Sequence, residues 1–220
     1  EELENGKGFI VIRGLPIERY TDDEAAIIYY GLGLHMGTPV SQNTNGDMLG
    51  HVKNIGALDP KKVRVYETNE YLPYHADLSD VVGLLCLRKA KSGGLSSLSS
   101  AMTLFNEILE KHPEYLGVLH RHFLLEHLND GDVGQTPIFS YYKGKLSGMY
   151  LRQYIEIAQT NAGLPLSPVE VEALDLVDKI LSDPDIRIDM MMEPGDIQFA
   201  NNYAIFHSRT GFEDYEELDR

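Results

Sequence analysis

Apolar and polar residues alternate along this chain in short stretches, a pattern that is typical of β-strands separated by turns. The run Gly8–Gly14 is β-branched, apolar and bounded by glycines, and residues 81–89 are almost continuously apolar. Further strands are predicted for residues 51–55, 63–68, 95–100, 138–142, 146–150, 186–192 and 196–210, the last with a break at 201–202. Many short strands with a few inserted helices predict a β-sandwich or jelly roll decorated by helices.

Capping signals mark the start of two predicted helices. The pattern Thr-x-x-Glu at 21–24 is a capping box with acidic residues in the first turn, and it predicts a helix over residues 21–37. Serine, proline and glutamate at 167, 168 and 170 predict a second helix that reaches residue 182. Shorter helices are predicted over residues 103–111, 113–121 and 152–159.

The length and composition fit a single large domain. With 220 residues, of which 43% are hydrophobic, the chain has enough apolar side chains for a sizeable core over residues 1–220. Asp and Glu number 34 against 19 Lys and Arg. This acidic balance argues against nucleic acid or an anionic membrane as a partner, because both bind clustered basic residues. Both ends are expected to be incomplete, since the sequence starts without methionine and stops in a charged stretch.

Cys86 is the only cysteine, and it lies within an apolar run. A buried, inert thiol is therefore predicted, and no disulfide forms within the chain. No apolar run approaches the ~20 residues that span a bilayer, and the first residues do not resemble a signal peptide. A cytoplasmic location is expected, and the sequence leaves a homo-oligomer open.

His75 and Asp77 form an H-x-D triplet at the end of a strand-like run, and His207 follows in a later predicted strand. In extended backbone His75 and Asp77 point to the same side of a sheet, because alternate residues share a face. Two imidazoles and one carboxylate are the ligands of a facial-triad Fe(II) site, which leaves coordination positions open. A structural zinc site would usually include cysteine.

A histidine in a strand is more often a structural residue than a metal ligand. That reading is assigned to the six other histidines, which are His35, His51, His112, His120, His122 and His127. His120 and His122 are two residues apart and would chelate a metal only in extended backbone, whereas a helix is predicted to end there.

Three segments in order resemble the taurine dioxygenase and clavaminate synthase-like branch of the Fe(II)- and 2-oxoglutarate-dependent oxygenases. They are residues 69–77 (NEYLPYHAD), 91–96 (KSGGLS) and 194–202 (PGDIQFANN), the last leading to His207. The resemblance implies a mainly β fold with helices (α+β). Its core would be a double-stranded β-helix, that is, a cupin-like jelly roll, flanked by helices.

The resemblance also implies roles for individual residues. His75, Asp77 and His207 would bind iron, and Ser96 matches a hydroxyl-bearing position that helps to hold 2-oxoglutarate. Relatives that halogenate replace the carboxylate ligand with a small residue. Asp77 therefore favours hydroxylation, desaturation or ring formation. For Ser96 the alternative is a strand serine without a role in binding.

Asn202 matches an asparagine that orients the site, and Asn69 matches a position where relatives often contact substrate. Substrate contacts are expected for Asn69, Tyr71 and Asn202. Other candidates for the pocket are Tyr141, Tyr142, Tyr150, Arg152 and Arg209. For the two arginines a structural ion pair is an equal alternative.

One feature of the family has no match in the sequence. Relatives clamp the distal carboxylate of 2-oxoglutarate with an arginine some way beyond the distal histidine. Arg209 is too close to His207, and Arg220 is the last residue. The clamp is expected beyond Arg220, unless the cosubstrate is held differently.

The function implied by the resemblance is oxidation of an unactivated C–H bond by Fe(II), 2-oxoglutarate and dioxygen, with release of succinate and CO₂. The substrate would be a small, polar, carboxylate-bearing molecule such as an amino acid or a biosynthetic intermediate. Cyclisation or desaturation by the same cofactors and a metal-binding homologue without turnover are the alternatives. The sequence contains no G-x-S-x-G nucleophile elbow of hydrolases, no G-x-G-x-x-G dinucleotide fingerprint and no P-loop.

Overall fold

A computed structural model describes residues 1–43, 45–56, 65–126 and 133–216. Its strands are β1 (Phe9–Ile12), β2 (Leu72–His75), β3 (Val81–Leu85), β4 (Ser92–Gly93), β5 (Ser96–Ser100), β6 (Phe123–Glu126), β7 (Val133–Thr136), β8 (Phe139–Tyr142), β9 (Lys145–Gly148), β10 (Ile188–Met190), β11 (Ile197–Asn201), β12 (Ile205–Arg209) and β13 (Phe212–Glu213). Its α-helices are α1 (Glu2–Asn5), α2 (Asp22–Met36), α3 (Ala101–Lys111), α4 (Leu116–Leu119), α5 (Arg152–Asn161) and α6 (Pro168–Leu181).

Two antiparallel sheets form the jelly-roll core. The first has the strand order β1-β11-β3, and the second has the order β10-β5-β12-β2. Leu98, Ala200 and Ile205 are buried between them. The consecutive strands β11 and β12 belong to different sheets, so the chain crosses from one layer to the other at the turn that joins them. The mainly β fold with a jelly-roll core is therefore confirmed.

Helices cover the outer face of the four-stranded sheet and create a second, larger core. It contains Leu104 and Ile108 of α3, Ile155 of α5, and Leu174 and Val177 of α6, all without solvent exposure. The capping boxes predicted at Thr21 and Ser167 are both present and start α2 and α6. No helix among the described residues has the length and apolar character that a bilayer span requires.

Side-chain alternation gives the four-stranded sheet two different faces. Tyr74 of β2 and Phe206 of β12 belong to the core on the helix side. Their chain neighbours His75 and His207 therefore point into the space between the sheets, as does Leu98 of β5. This alternation places the two histidines inside the jelly roll.

Three strand predictions are corrected by the structure. Residues 51–55 contain no strand, and Val65–Glu67 is a 3₁₀ turn where a strand over 63–68 was predicted. Residues 63 and 64 lie outside the described part of the chain. The strand predicted for 81–89 ends at Leu85, where its partner β11 gives way to a turn. Apolar alternation produces a strand only where a second strand supplies hydrogen bonds.

The structure contains two strand pairs that were not predicted, and it interrupts one of the predicted helices. β6 pairs with β7, and the very short β4 pairs with β13. β4 and β13 have only two residues each, which is too short to show a period of two in the sequence. The helix predicted for 113–121 is a 3₁₀ turn, Pro113–Tyr115, followed by α4 alone.

The predicted hairpin at 138–150 is confirmed as the pair β8 and β9. Lys143 and Gly144 connect the two strands, and both have positive φ angles of 50° and 80°. Two such residues make the turn type whose twist matches antiparallel strands. The hairpin thus forms although lysine is an unusual choice for its first turn position.

Cys86 directly follows β3 and is half-buried. Burial raises the pKa of its thiol to about 11, so the side chain stays protonated at neutral pH. This agrees with the predicted inert thiol.

Tyr150 anchors α6 to the start of α5. Its side chain has no solvent exposure, and its hydroxyl donates a hydrogen bond of 2.6 Å to Asp178 Oδ1. Arg152 Nη1 lies 2.6 Å from the other carboxylate oxygen of Asp178. One carboxylate of α6 therefore binds both Tyr150, which precedes α5, and Arg152, the first residue of α5.

Replacing Tyr150 with Phe is expected to lower the free energy of unfolding by about 1–3 kcal/mol, because a buried hydrogen bond to a charged group is lost. Urea unfolding followed by circular dichroism measures the change. Tyr142→Phe is the matched control, since that side chain is 70% exposed and makes no buried hydrogen bond. Equal stability of the two variants would contradict the anchoring role.

Candidate metal centre

Three side chains converge between the sheets. One ligand atom from each of His75, Asp77 and His207 lies within 4.8 Å of the other two. His207 Nε2 is 3.4 Å from Asp77 Oδ2, and His75 Nε2 is 3.8 Å from Asp77 Oδ1. Among the described residues this is the one group of three or more His, Cys, Asp or Glu side chains with metal-binding spacing.

Strand pairing brings the two histidines together. In the antiparallel pair of β2 and β12, His75 lies directly opposite His207, and their ring centroids are 4.2 Å apart. The register then shifts, so that Arg209 lies opposite Leu72 and β2 holds an extra residue. Pro73 is tolerated in this irregular stretch of an edge strand because it has no N–H to donate.

The protonation of His75 suits a metal ligand. Its Nδ1 lies 2.8 Å from the Pro73 carbonyl oxygen, which favours the tautomer that donates from Nδ1 and leaves the Nε2 lone pair available. Burial lowers the pKa of His75 to about 4, assisted by the positive charge that His207 can carry. A neutral imidazole at physiological pH is the form that coordinates metal.

The surroundings of the His207 side chain indicate that the three residues fit a metal ion. Its Nε2 is buried and has no hydrogen-bond partner, although it points toward the carboxylate of Asp77. A buried polar atom without a partner is costly, and coordination would satisfy it. The nitrogen and oxygen donors are the set that iron(II) oxygenases use, so the residues fit Fe(II).

Asn202 holds the loop that carries Asp77. This residue has no solvent exposure, its Oδ1 accepts a hydrogen bond of 3.0 Å from the Asp77 backbone N–H, and its Nδ2 donates to the Ser79 carbonyl at 3.0 Å. Its own N–H donates to the Asp80 carbonyl. Because Asn202 lies in the turn that leads to β12, it connects the loop that carries Asp77 to the strand that carries His207. Its amide serves this loop, and Asn202 is not among the residues that line the cavity.

The three ligands open into a cavity of about 1600 Å³. Every residue from 81 to 90 lines it, which means that the cavity follows the edge of β3 that no described strand covers. Typical small-molecule sites are smaller, so a substrate at the metal centre would fill only part of this space. Ser96 and Arg209 line the cavity, whereas Asn69 and Tyr71 do not.

The other predicted pocket residues have structural contacts. Arg152 lines the cavity, but its guanidinium forms ion pairs with Glu156, Asp175 and Asp178. Tyr150 is buried beneath it, and the rings of the two remaining candidates, Tyr141 and Tyr142, are exposed and lie outside the cavity.

The other histidines show no second metal site among the described residues. His120 Nδ1 lies 2.8 Å from the Phe139 carbonyl, and its ring stacks on Tyr141. His122 is exposed, and His127 lies outside the described residues. Sequence reasoning did not identify the Pro73 carbonyl or Ser79. Neither residue type carries a signal for its role, since the role depends on the local shape of the backbone.

The whole chain, residues 1–220, matches the family model "Taurine catabolism dioxygenase TauD, TfdA family". The chain belongs to this family. FR-33289 synthase of Streptomyces rubellomurinus is 36% identical over 99% of the chain and 66% of its own length. The taurine hydroxylase-like protein SAT17 of Stachybotrys chartarum is 28% identical over 96% of the chain and 58% of its own length. The chain thus spans less than two thirds of either TauD/TfdA relative.

Solved structures agree with the TauD/TfdA fold. Asparagine oxygenase in complex with Fe(II), 3-hydroxyasparagine and succinate superposes with a TM-score of 0.76 at 17% identity, covering 96% of this chain and 71% of that one. The non-haem iron oxygenase OrfP with iron and α-ketoglutaric acid has a TM-score of 0.68 at 15% identity, covering 99% and 73%. At these identities the likeness establishes the fold.

Replacing His207 with Ala is expected to weaken Fe(II) binding by more than about 100-fold, because a direct ligand is lost, whereas loss of a residue that only orients a ligand costs about 10–100-fold. Anaerobic calorimetric titration with Fe(II) measures it. His112→Ala is the control, since His112 lies outside the ligand group. Similar iron affinities in both variants would exclude His207 as a ligand.

Replacing Asn202 with Ala is expected to weaken Fe(II) binding about 10–100-fold, because the Asp77 loop loses its restraint. The neighbouring Asn201→Ala serves as a matched control, since the Asn201 side chain contacts Leu3 and Tyr203 instead. The same titration applies, and unchanged affinity in the Asn202 variant would show that the loop holds its position without this amide.

Proposed function

We propose that the protein is a non-haem Fe(II)- and 2-oxoglutarate-dependent oxygenase that oxidises an unactivated C–H bond of a small polar substrate. The observation that carries the proposal is the convergence of His75, Asp77 and His207 on one point inside a TauD/TfdA jelly roll. Bound Fe(II) and 2-oxoglutarate supply the activation of dioxygen, with succinate and CO₂ as coproducts. The side chains around them hold and orient these groups.

The protein's own contribution is to hold and orient the ligand set. The Pro73 carbonyl fixes the ring of His75, and Asn202 fixes the loop of Asp77. His207 is held by strand pairing on both sides of β12. Leu98 and Ile205 form the apolar wall behind the ligands and keep bulk water from that side. Rigid positioning of this kind is what an open metal site needs for selective oxidation.

Ser96 is proposed to assist in binding 2-oxoglutarate. It lines the cavity at the first position of β5, and its hydroxyl donates a hydrogen bond of 3.3 Å to Gln198 Oε1. A hydroxyl that is buried beside the ligand set can accept or donate to a carboxylate oxygen. The placement supports the role implied by the resemblance.

A carboxylate-bearing substrate such as an amino acid is the proposed substrate class. Two structural neighbours were solved with hydroxylated amino acids, 3-hydroxyasparagine and (3S)-hydroxy-L-Arg. Asn69, Tyr71 and Asn202 remain proposed substrate contacts on the basis of the resemblance. Asn69 and Tyr71 are exposed and lie just before the strand that carries His75, and none of the three residues lines the cavity.

Two other outcomes keep the same metal site. The oxidation can lead to cyclisation or desaturation instead of an alcohol, and product analysis separates these reactions. A homologue that binds metal without turnover is the other alternative, and it would release no succinate. The intact carboxylate ligand Asp77 favours an oxidation without halide transfer.

The test is anaerobic titration of the Fe(II)-loaded full-length protein with 2-oxoglutarate. The expected result is a weak visible charge-transfer band, which is lost in His75→Ala and Asp77→Ala. His112→Ala is expected to retain the band. Succinate release in air would then support a substrate screen among amino acids. If iron binds but neither the band nor succinate forms, the proposal is wrong and the metal-binding alternative remains.

A further inference from the structure

The loop that carries the ligand Asp77 has no regular secondary structure of its own. Residues 76–80 belong to neither a helix nor a strand, and the Asp77 side chain is 43% exposed. Packing therefore restrains this ligand less than it restrains His207, which is buried within a paired strand. The position of the Asp77 carboxylate depends on the hydrogen bonds that fasten the loop to its surroundings.

These hydrogen bonds come from the turn between β11 and β12, and they hold the loop at both ends. At one end the side chain of Asn202 binds the Asp77 N–H and the Ser79 carbonyl. At the other end the hydroxyl of Tyr203 donates a hydrogen bond of 2.8 Å to Asp80 Oδ1. The backbone carbonyl of Asp80 also accepts from the Asn202 N–H at 3.0 Å. Asp80 is thus held through both its side chain and its backbone.

The Tyr203 hydroxyl is a hydrogen-bond donor at neutral pH. Its pKa is raised, first by the hydrogen bond to Asp80 and then by partial burial. A phenol that donates to a carboxylate makes a charge-assisted hydrogen bond, which is stronger than a bond between neutral groups. The bond therefore remains an effective restraint although the Tyr203 residue is 43% exposed.

The backbone of Tyr203 is fixed independently of the loop. Its N–H donates to Asn201 Oδ1 at 2.9 Å, and its carbonyl accepts from the Gly148 N–H at 2.8 Å. Gly148 ends β9 and packs closely on Phe206, since an added Cβ at this glycine would lie 2.6 Å from Phe206 Cζ. The β8–β9 hairpin therefore supports the backbone from which the Tyr203 side chain reaches the loop.

We propose that Tyr203 is a positioning residue for the metal centre, acting through Asp80 on the carboxylate ligand Asp77. The proposal rests on the proposed function, because it concerns the same metal site. Asp80 lines the cavity and Tyr203 does not, so Tyr203 acts through the loop and not by contact with metal or substrate. Loss of the hydroxyl would widen the range of positions open to the Asp77 carboxylate, and a less well oriented ligand binds metal more weakly.

Two competing explanations make different predictions. One is that Asp80 acts by its charge alone, since a carboxylate near a metal site attracts cations whether or not Tyr203 binds it. The other is that Tyr203 only stabilises the fold. In that case its loss changes the unfolding of the protein and leaves the metal affinity of the folded state unchanged.

The experiment is a double-mutant cycle on Fe(II) affinity, measured by anaerobic calorimetric titration of the full-length protein. Tyr203→Phe, Asp80→Ala and the double variant are compared with the unmodified protein. Asp80→Asn removes the charge but keeps an oxygen that accepts from the hydroxyl. Tyr215→Phe is the matched control, because Tyr215 is also 43% exposed and lies outside both the turn and the cavity lining. Urea unfolding of the metal-free variants reports on the fold.

Tyr203→Phe and Asp80→Ala are each expected to weaken Fe(II) binding about 3–10-fold, which is less than the cost of losing a group that contacts a ligand residue directly. The double variant is expected to bind no more weakly than the weaker single variant, because both changes remove the same bond. Asp80→Asn is expected to retain most of the affinity, and Tyr215→Phe all of it. The urea midpoints are expected to change little, because the bond lies near the surface.

Three results would overturn the proposal. Unchanged Fe(II) affinity in Tyr203→Phe would show that the hydroxyl has no positioning role, whatever its effect on unfolding. Equal losses in Asp80→Asn and Asp80→Ala would assign the effect to the charge of Asp80. Losses that add in the double variant would show that the two residues do not act through one bond.

Failure of the proposed function gives a different result. If the unmodified protein binds Fe(II) but forms no charge-transfer band with 2-oxoglutarate, the oxygenase proposal falls, and the cycle still decides the role of Tyr203 at a metal site. If the unmodified protein binds no Fe(II), the metal site and the positioning role fall together.

Discussion

The antiparallel pairing of β2 with β12 is the interaction on which the metal centre depends. It sets His75 opposite His207 although 132 positions separate them in the sequence, and it leaves their rings 4.2 Å apart. A register shift by one residue would turn either histidine to the helix side of the sheet. The apolar neighbours Tyr74 and Phe206 prevent this, because they are buried in the helix-side core. Packing of Tyr74 and Phe206 on the helix side of the sheet therefore fixes the orientation of His75 and His207 on the other side.

The turn between β11 and β12 couples the two sheets to this pairing. Asn202 in that turn holds the loop of Asp77, and Tyr203 donates a hydrogen bond of 2.8 Å to Asp80 of the same loop. The chain changes sheets at this point. The carboxylate ligand is thus positioned by the connection between the layers, and the two imidazoles by pairing within one layer. Rigid placement of all three ligands follows from the architecture.

Burial shifts the pKa values of two side chains that line the cavity of this acidic protein, His75 and Arg209. His75 is held neutral by burial, which lowers its pKa to about 4. Arg209 is partly buried without a carboxylate partner among the described residues, and burial lowers its pKa from the usual value. The net charge of −15 describes the whole molecule, and the cavity lining itself contains both signs of charge, with Asp77, Glu156 and Asp178 beside Arg88, Arg152 and Arg209.

By itself the sequence determined the local elements and the chemistry of the ligands. Capping boxes predicted the starts of α2 and α6, short apolar runs between turn residues predicted β1, β5 and the β8–β9 hairpin, and the H-x-D triplet with His207 named all three residues that converge. These features depend on near neighbours or on residue type. Alternation failed at 51–55 and Val65–Glu67, because a strand also needs a partner that the local sequence does not specify. Only the tertiary structure decided that Asn202 serves the Asp77 loop, that carboxylates neutralise Arg152, and that Arg209 has no carboxylate partner among the described residues, since each depends on contacts between distant parts of the chain.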